Sequence, residues 1–328
     1  MRCTSKKIRQ SFLCIMLCFC VFLGGCSWGA ALEEPFAADH PDLGVLGQGE
    51  DADIPYFAKD LCVTSTDAAE IEANTEEALA ACFFKLDSKE ILYAKNVHQR
   101  LYPASTTKIM TALVALDEVD VEAQTTVSKE AVTFTERGVS KADLKEGDIL
   151  TIRQLLYGLL LASGNDAANA IAEQVSGSNE SFVELMNVKA QKIGATNTHF
   201  TNPHGLHDEE HYTTVYDLYL MFQEAMKHEE FIEILKAASY EASYLAADGT
   251  PVTKTWMSSD LFTKGDVTVP EGVVAVGGKT GTTSAAKSCL VQLFEDAEGS
   301  SYVAIILGCE ERGKLYEEMQ SFLSSLNN

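Results

Sequence analysis

The chain reads as a mixed α/β protein of the α+β kind: one antiparallel sheet built from strands near both ends, beside a mostly helical lobe. Apolar runs bounded by turn signals fall at about 78–95 and again at about 270–328. The stretch between them, about 100–245, carries helical periodicity. Strands at both ends with helices between them place the two terminal segments in one sheet.

Taken in order, Ala78–Leu86 and Ile91–Ala94 are two strands joined by a turn at Asp87-Ser88-Lys89-Glu90. From Ser105 to about Leu235 the pattern is helical. Ile152, Leu155, Leu156, Leu159 and Leu160 recur at helix spacing with little polar relief, which predicts a central buried helix. Asn179 is placed to cap a helix running to Ile193, with Gly194 as its stop. Three apolar runs follow: Val273–Val276, Leu290–Phe294 and Tyr302–Leu307. The last two flank a turn at Ala297–Ser300 and form a hairpin. Leu315, Met319, Phe322, Leu323 and Leu326 make one face of a final helix, expected to pack on the sheet. That helix carries Lys314, Glu317 and Glu318 and lacks the basic face of a membrane-surface anchor.

The 328 residues hold 25 basic and 48 acidic side chains, a formal charge of −23. An acid excess of this size argues against nucleic acid, whose phosphates are bound by basic patches. It also argues against holding an anionic bilayer by charge. Arg2, Lys6, Lys7 and Arg9 precede an apolar run from Ser11 to Leu23. Residues 1–25 are therefore expected to be a secretory leader. It ends in Leu23-Gly24-Gly25-Cys26, which resembles the bacterial lipobox, so Cys26 is the expected lipidation site. The alternative is ordinary cleavage near Ala30 or Ala31. Residues 26–60 form an acidic, Pro-bearing tether, and 61–328 the folded domain. The expected location is extracytoplasmic, secreted and held to the membrane by an N-terminal lipid.

Four cysteines remain in the folded part: Cys62, Cys82, Cys289 and Cys309. That is too few for a disulfide scaffold, and no CxxC pair suggests zinc. Cys289 and Cys309 fall on the two arms of the last hairpin. Reduced core thiols are the favoured reading, a cross-strand disulfide the alternative.

Ser105-Thr106-Thr107-Lys108 opens an apolar-periodic helix. Ser and Lys at i and i+3 share a helix face, so the amine reaches the hydroxyl. A Ser at a helix start also sits among free N–H groups that stabilise an oxyanion. Ser163-Gly164-Asn165 breaks two apolar helices and can present a hydroxyl and an amide to a cleft. Lys279-Thr280-Gly281 ends a Gly-rich strand, followed by Thr282. An edge there can take an extended peptide as an added strand, with Lys279, Thr280 and Thr282 gripping a carboxylate. Each motif alone is commonplace. Ser284–Lys287 and Ser325–Asn327 repeat two of them in contexts that do not fit. The three in the order SxxK, SxN, KTG, each in its own structural context, are specific.

With these residues the chain resembles the serine-type D-alanyl-D-alanine carboxypeptidases, the low-molecular-mass penicillin-binding proteins of peptidase family S11. The likeness runs from about Ala78 to Asn328. Its longer strings are Tyr102–Lys108, Ser163–Ala168, Phe200–Leu206 and Gly278–Thr283. The resemblance implies a β-lactamase/DD-peptidase-like fold and no cofactor. The implied substrate is the peptidoglycan stem pentapeptide ending in D-Ala-D-Ala, and β-lactams are the implied inhibitors. It implies Ser105 as nucleophile, Lys108 as general base, Ser163 as proton relay and Asn165 as orienter. Lys279, Thr280, Gly281 and Thr282 would form the carboxylate and oxyanion side of the site. Two features depart from related chains: Ala286-Lys287 stands where Ala-Gly is usual, and one helix follows the last strand where many relatives continue into a β domain.

Other readings compete. His204, His207 and His211 lie near Asp208, Glu209 and Glu210, but Asn202-Pro203 and Gly205 argue for a loop over a zinc site. A β-lactamase shares the fold and the acylation step. A non-catalytic peptidoglycan- or penicillin-binding sensor is a rival of another class, and a DD-endopeptidase is the nearest variant.

Overall fold

The computed structural model describes residues 58–136 and 138–327. The leader, Cys26 and the tether up to residue 57 lie outside the described residues. No helix among the described residues is long and apolar enough to cross a membrane.

The chain begins with a two-residue strand β1 (Ala68–Ala69), then the hairpin β2 (Ala80–Lys85) and β3 (Glu90–Lys95). A 3-10 turn, Ala104–Thr107, leads into helix α1 (Lys108–Glu118). Next come β4 (Gln124–Thr126), a short α2 (Lys129–Val132), β5 (Ile149–Thr151) and α3 (Ile152–Leu160). Helices α4 (Asn165–Ser176), α5 (Asn179–Lys192), α6 (Val215–Ala225) and α7 (Glu229–Lys236) complete the lobe. The hairpin β6 (Ser239–Leu245) and β7 (Pro251–Met257) and a short α8 (Leu261–Lys264) follow. The chain closes with β8 (Val274–Thr283), β9 (Lys287–Glu295), β10 (Ser301–Cys309) and α9 (Arg312–Leu323).

The main sheet has the order β1-β3-β2-β10-β9-β8, all antiparallel. β2 from one end of the domain pairs with β10 from the other, Ala81 opposite Ile306. The expected sheet built from both ends is thus the one observed. Its central strands are apolar on both faces, because both faces are covered. Alternation sorts the side chains. Cys82, Phe84, Val291, Leu293, Val303 and Ile305 face the helical lobe. Ala81, Phe83, Leu290, Phe294, Ala304 and Ile306 face α9, which contributes Leu315, Met319 and Phe322. Phe83 stacks on Phe322 at 5.4 Å. Glu318, expected on the polar side of α9, is buried and accepts the Glu77 amide at 2.7 Å, tying the helix to the start of β2.

In the lobe, α3 is the buried helix its leucines predict, opened by a reciprocal cap between Thr151 and Gln154. Helix α5 is capped one residue earlier than expected, by the Ser178 hydroxyl, and Gly194 just past it takes φ of 85°. The lobe is not purely helical. A second sheet, β4-β5-β6-β7, lies within and beyond the stretch read as helix. Its hairpin docks through aromatics: Tyr240 stacks on Tyr157 of α3 at 3.7 Å, and the Trp256 indole donates to the Ala142 carbonyl at 2.9 Å.

All four described cysteines are free thiols. The alternative bridge fails on register. Cys309 pairs with Ser288, one residue from Cys289. The two thiols therefore enter opposite packing clusters, Cys289 toward the lobe and Cys309 toward α9. Burial pushes the Cys289 thiol up to about 12.

Candidate active site

Ser105 lies in the 3-10 turn and Lys108 begins α1, so the nucleophile candidate precedes the α-helix instead of opening it. Tight winding eclipses side chains at i and i+3. Ala104 before it holds φ of 48°, a left-handed strain seldom kept without purpose. Lys108 is fully buried. Its amine lies 3.0 Å from Ser105 Oγ, 2.7 Å from Asn165 Oδ1 and 2.6 Å from the His204 carbonyl. A neutral amine has two N–H bonds and one lone pair. Asn165 and the His204 carbonyl are acceptors only toward it, so they take the two N–H bonds. The lone pair is left for the Ser105 hydroxyl. Burial and the nearby Lys279 hold the Lys108 amine well below its ordinary range, with Asp166 opposing them.

Ser163 also takes a left-handed φ, of 57°, and Asn165 starts α4. The junction is braced by Asp166, fully buried, whose carboxylate accepts the amides of Ala142, Leu144 and Ala167 at 2.7, 2.9 and 3.0 Å. The Asn165 amide donates to the Ser140 carbonyl at 2.9 Å. The loop before β5 is thereby tied to the site.

The Lys279-Thr280-Gly281 motif lies inside β8, not at its end, and β8 is an edge strand. Lys279 is fully buried and donates to Ser163 Oγ at 3.0 Å and to the Thr280 carbonyl at 2.8 Å. Burial pulls its amine down to about 7, against the field of Asp260. Gly281 has a steric reason. A Cβ there would sit 2.8 Å from the Pro103 carbonyl oxygen and 3.0 Å from the Ser105 amide nitrogen. Only glycine lets the strand approach the nucleophile this closely. Thr282, next along, is exposed.

The loop Thr201–His211 forms the remaining wall. Asn202 Oδ1 accepts the Gly205 amide at 2.7 Å, and Gly205, at φ of 87°, packs on the Ala104 carbonyl. His211 Nδ1 accepts the Thr201 amide at 3.0 Å, which leaves Nε2–H to donate to Thr107 Oγ1 at 2.8 Å. Thr107 Oγ1 donates in turn to the Ala104 carbonyl at 2.8 Å. The histidines do not converge: His207 packs on Tyr102, and His204 on Phe134. No group of three metal-ligating side chains gathers among the described residues. His204 and His211 are both pushed down to about 3 by burial.

The structure brings Ser105, Lys108, Ser163, Asn165, Lys279, Thr280, Gly281 and Thr282 together, drawn from three distant stretches. Three residues outside the motifs join them. Ser259 Oγ is 2.6 Å from Thr280 Oγ1, Arg312 donates to the Ser259 carbonyl at 2.6 Å, and His211 stands behind the nucleophile turn. No local pattern marks Ser259 or Arg312, and His211 stands in the sequence only as one of three clustered histidines; tertiary folding brings all three in.

A buried amine held well below its ordinary range, 3.0 Å from a half-buried serine hydroxyl and near a second lysine on a strand edge, is an arrangement suited to a serine acyl-enzyme hydrolase. The comparisons agree. The profile of the peptidase S11 family, D-alanyl-D-alanine carboxypeptidase, matches residues 64–310. The chain is 35% identical over 257 residues to D-alanyl-D-alanine carboxypeptidase DacF of Bacillus subtilis, covering 76% of this chain and 62% of that one. It is 36% identical to DacB2 of Mycobacterium tuberculosis, covering 70% and 74% of the two chains. The crystal structure of the Streptomyces K15 DD-transpeptidase superposes with a TM-score of 0.68 at 31% identity, over 74% of this chain and 93% of that one. The chain belongs to the S11 family of D-alanyl-D-alanine carboxypeptidases, serine hydrolases with the β-lactamase/DD-peptidase-like fold.

Proposed function

We propose that this protein removes the terminal D-alanine from peptidoglycan stem peptides outside the cytoplasm, through an acyl-enzyme on Ser105. One observation carries the assignment of roles: the lone pair of the buried Lys108 amine is left for Ser105 Oγ by its two other partners. The Ser105 proton passes to Lys108 Nζ as Oγ attacks the carbonyl between the two D-alanines. The oxyanion forms against the backbone N–H groups of Ser105 and Thr282. The C–N bond breaks, and the proton that Lys108 took from Ser105 passes through Ser163 to the leaving amine, which returns Lys108 to its neutral form; Lys279 donates to Ser163 Oγ and keeps its own proton. Asn165 orients Lys108 and the substrate amide. Lys279, Thr280 and Thr282 hold the terminal carboxylate, and Gly281 lets their strand come close to Ser105. Water, deprotonated at Lys108, then cleaves the ester and frees the shortened peptide. Penicillin acylates the same Ser105, since the lactam mimics the scissile end. A lipid on Cys26 and the acidic tether hold the domain near its substrate.

Ser105→Ala tests the reading. Intact mass after mixing with benzylpenicillin is to show a long-lived adduct on the parent and none on the variant, with D-alanine release lost as well. Retained labelling would place the nucleophile elsewhere. Rapid drug turnover without a lasting adduct would point to a β-lactamase. Product ligated to an added amine instead of free acid would point to transpeptidation, the activity named for the Streptomyces structure.

A further inference from the structure

The edge that carries Thr280 is held by the segment between β7 and α8. The Ser259 amide donates to the Leu161 carbonyl at the end of α3 at 3.1 Å. Its hydroxyl meets Thr280, and its carbonyl takes Arg312. The next residue, Asp260, is fully buried. Its carboxylate accepts the amides of Phe262 and Thr263 at 3.2 and 3.0 Å and the Thr263 hydroxyl at 2.5 Å. It also accepts the Tyr316 hydroxyl at 3.1 Å, and Tyr316 follows Arg312 on α9 by four residues. Capping a four-residue helix does not require an ion, because Asn or Ser caps equally well. A buried charge is costly unless other charges match it. Lys279, a cation that its field reaches, belongs to the site. Asp260 opposes the loss of charge at Lys279, and Asp260 and Arg312 both act on the Tyr316 hydroxyl.

We propose that Asp260 is a positioning residue for the substrate's terminal carboxylate, fixing through Ser259 and Tyr316 the edge where Lys279 and Thr280 meet that anion. The inference rests on the carboxypeptidase reading and deepens it. Asp260 does not touch substrate. Its acceptor capacity is spent on four protein donors, and its charge is felt at Lys279.

The test compares two substrates that differ only at the end: an acyl-D-Ala-D-Ala peptide and the same peptide as its C-terminal amide. Release of D-alanine or D-alaninamide is followed for the parent protein and Asp260→Asn, the amide at enzyme excess so that slow reaction is still read. Asp260→Asn is to raise KM for the free acid at least fivefold with kcat within twofold. Its kcat/KM on the amide is to stay within twofold of the parent. Equal loss on both substrates would make Asp260 merely structural, and no change on either would remove it from the site; both overturn the inference. If Asp260→Asn does not fold, Tyr316→Phe carries the test, with at least a twofold rise in KM on the acid alone. A parent protein that releases D-alanine from neither substrate removes the carboxypeptidase reading itself, a separate failure.

Discussion

Lys108 lies 3.0 Å from Ser105 Oγ and Lys279 3.0 Å from Ser163 Oγ, and the proposed mechanism needs them in opposite protonation states. In it Lys108 works neutral and Lys279 works charged. Both are fully buried, and burial disfavours charge on each. Each also repels charge on the other, so protonating one makes the second proton harder to add. The sign of the pH dependence follows. As pH rises, Lys108 sheds its proton and activity grows. As pH rises through about 7, Lys279 loses the charge that grips the carboxylate, and kcat/KM falls. The pH profile of benzylpenicillin acylation should be bell-shaped, with its alkaline limb set by Lys279. Lys279→Arg should lower the peak rate but abolish that limb, because a guanidinium stays charged. A limb that stayed in place would assign it to another group. His204 and His211, pushed down to about 3, remain neutral and contribute no inflection near 6.5. The motif lysines were legible from spacing alone. Their mutual electrostatics were not, since Lys108 and Lys279 lie 171 positions apart in the chain and meet only when folded.

At the scale of elements, the site stands where three differently built starts converge: a 3-10 turn, a helix junction and a strand edge. Two of them rely on left-handed non-glycine residues, Ala104 and Ser163. Such strain persists only where neighbours over-determine it. Asp166 does this for the junction. Asp166→Ala would leave the amides of Ala142 and Leu144 buried without partners, costing about 3 kcal/mol. Urea unfolding should show that loss, and acylation should slow with it as the Ser163 turn relaxes. Unchanged stability would mean water replaces the carboxylate without penalty. The sheet was readable because its strands are apolar runs with clear turns. The second sheet was not, because β6 and β7 are half-exposed and carry Ser, Glu and Thr outward. Alternation of Tyr240, Ala242 and Tyr244 ahead of Asp248-Gly249 was the available signal, a hairpin pattern at the end of a long helical stretch.

Across the whole molecule, a net charge of −23 argues against resting on an anionic bilayer, so the proposed attachment falls to the N-terminal segment. Cys26→Ala should move the protein from the membrane fraction to the soluble one, read by fractionation and blotting. Persistent membrane association would call for another anchor. The pairing of β2 with β10 has a further bearing, on timing. Ala81 meets Ile306 across about 225 residues of chain. Closing so long a loop carries an entropic cost that local helices do not face, and contacts this remote form late. The helical lobe can condense as the chain emerges, but β8 has no seat until β9 and β10 arrive to bridge it to β2. A copy cut short just after Gly281 would contain nearly every catalytic side chain and no active site. Hydrolysis is thereby deferred until synthesis of the whole domain is complete.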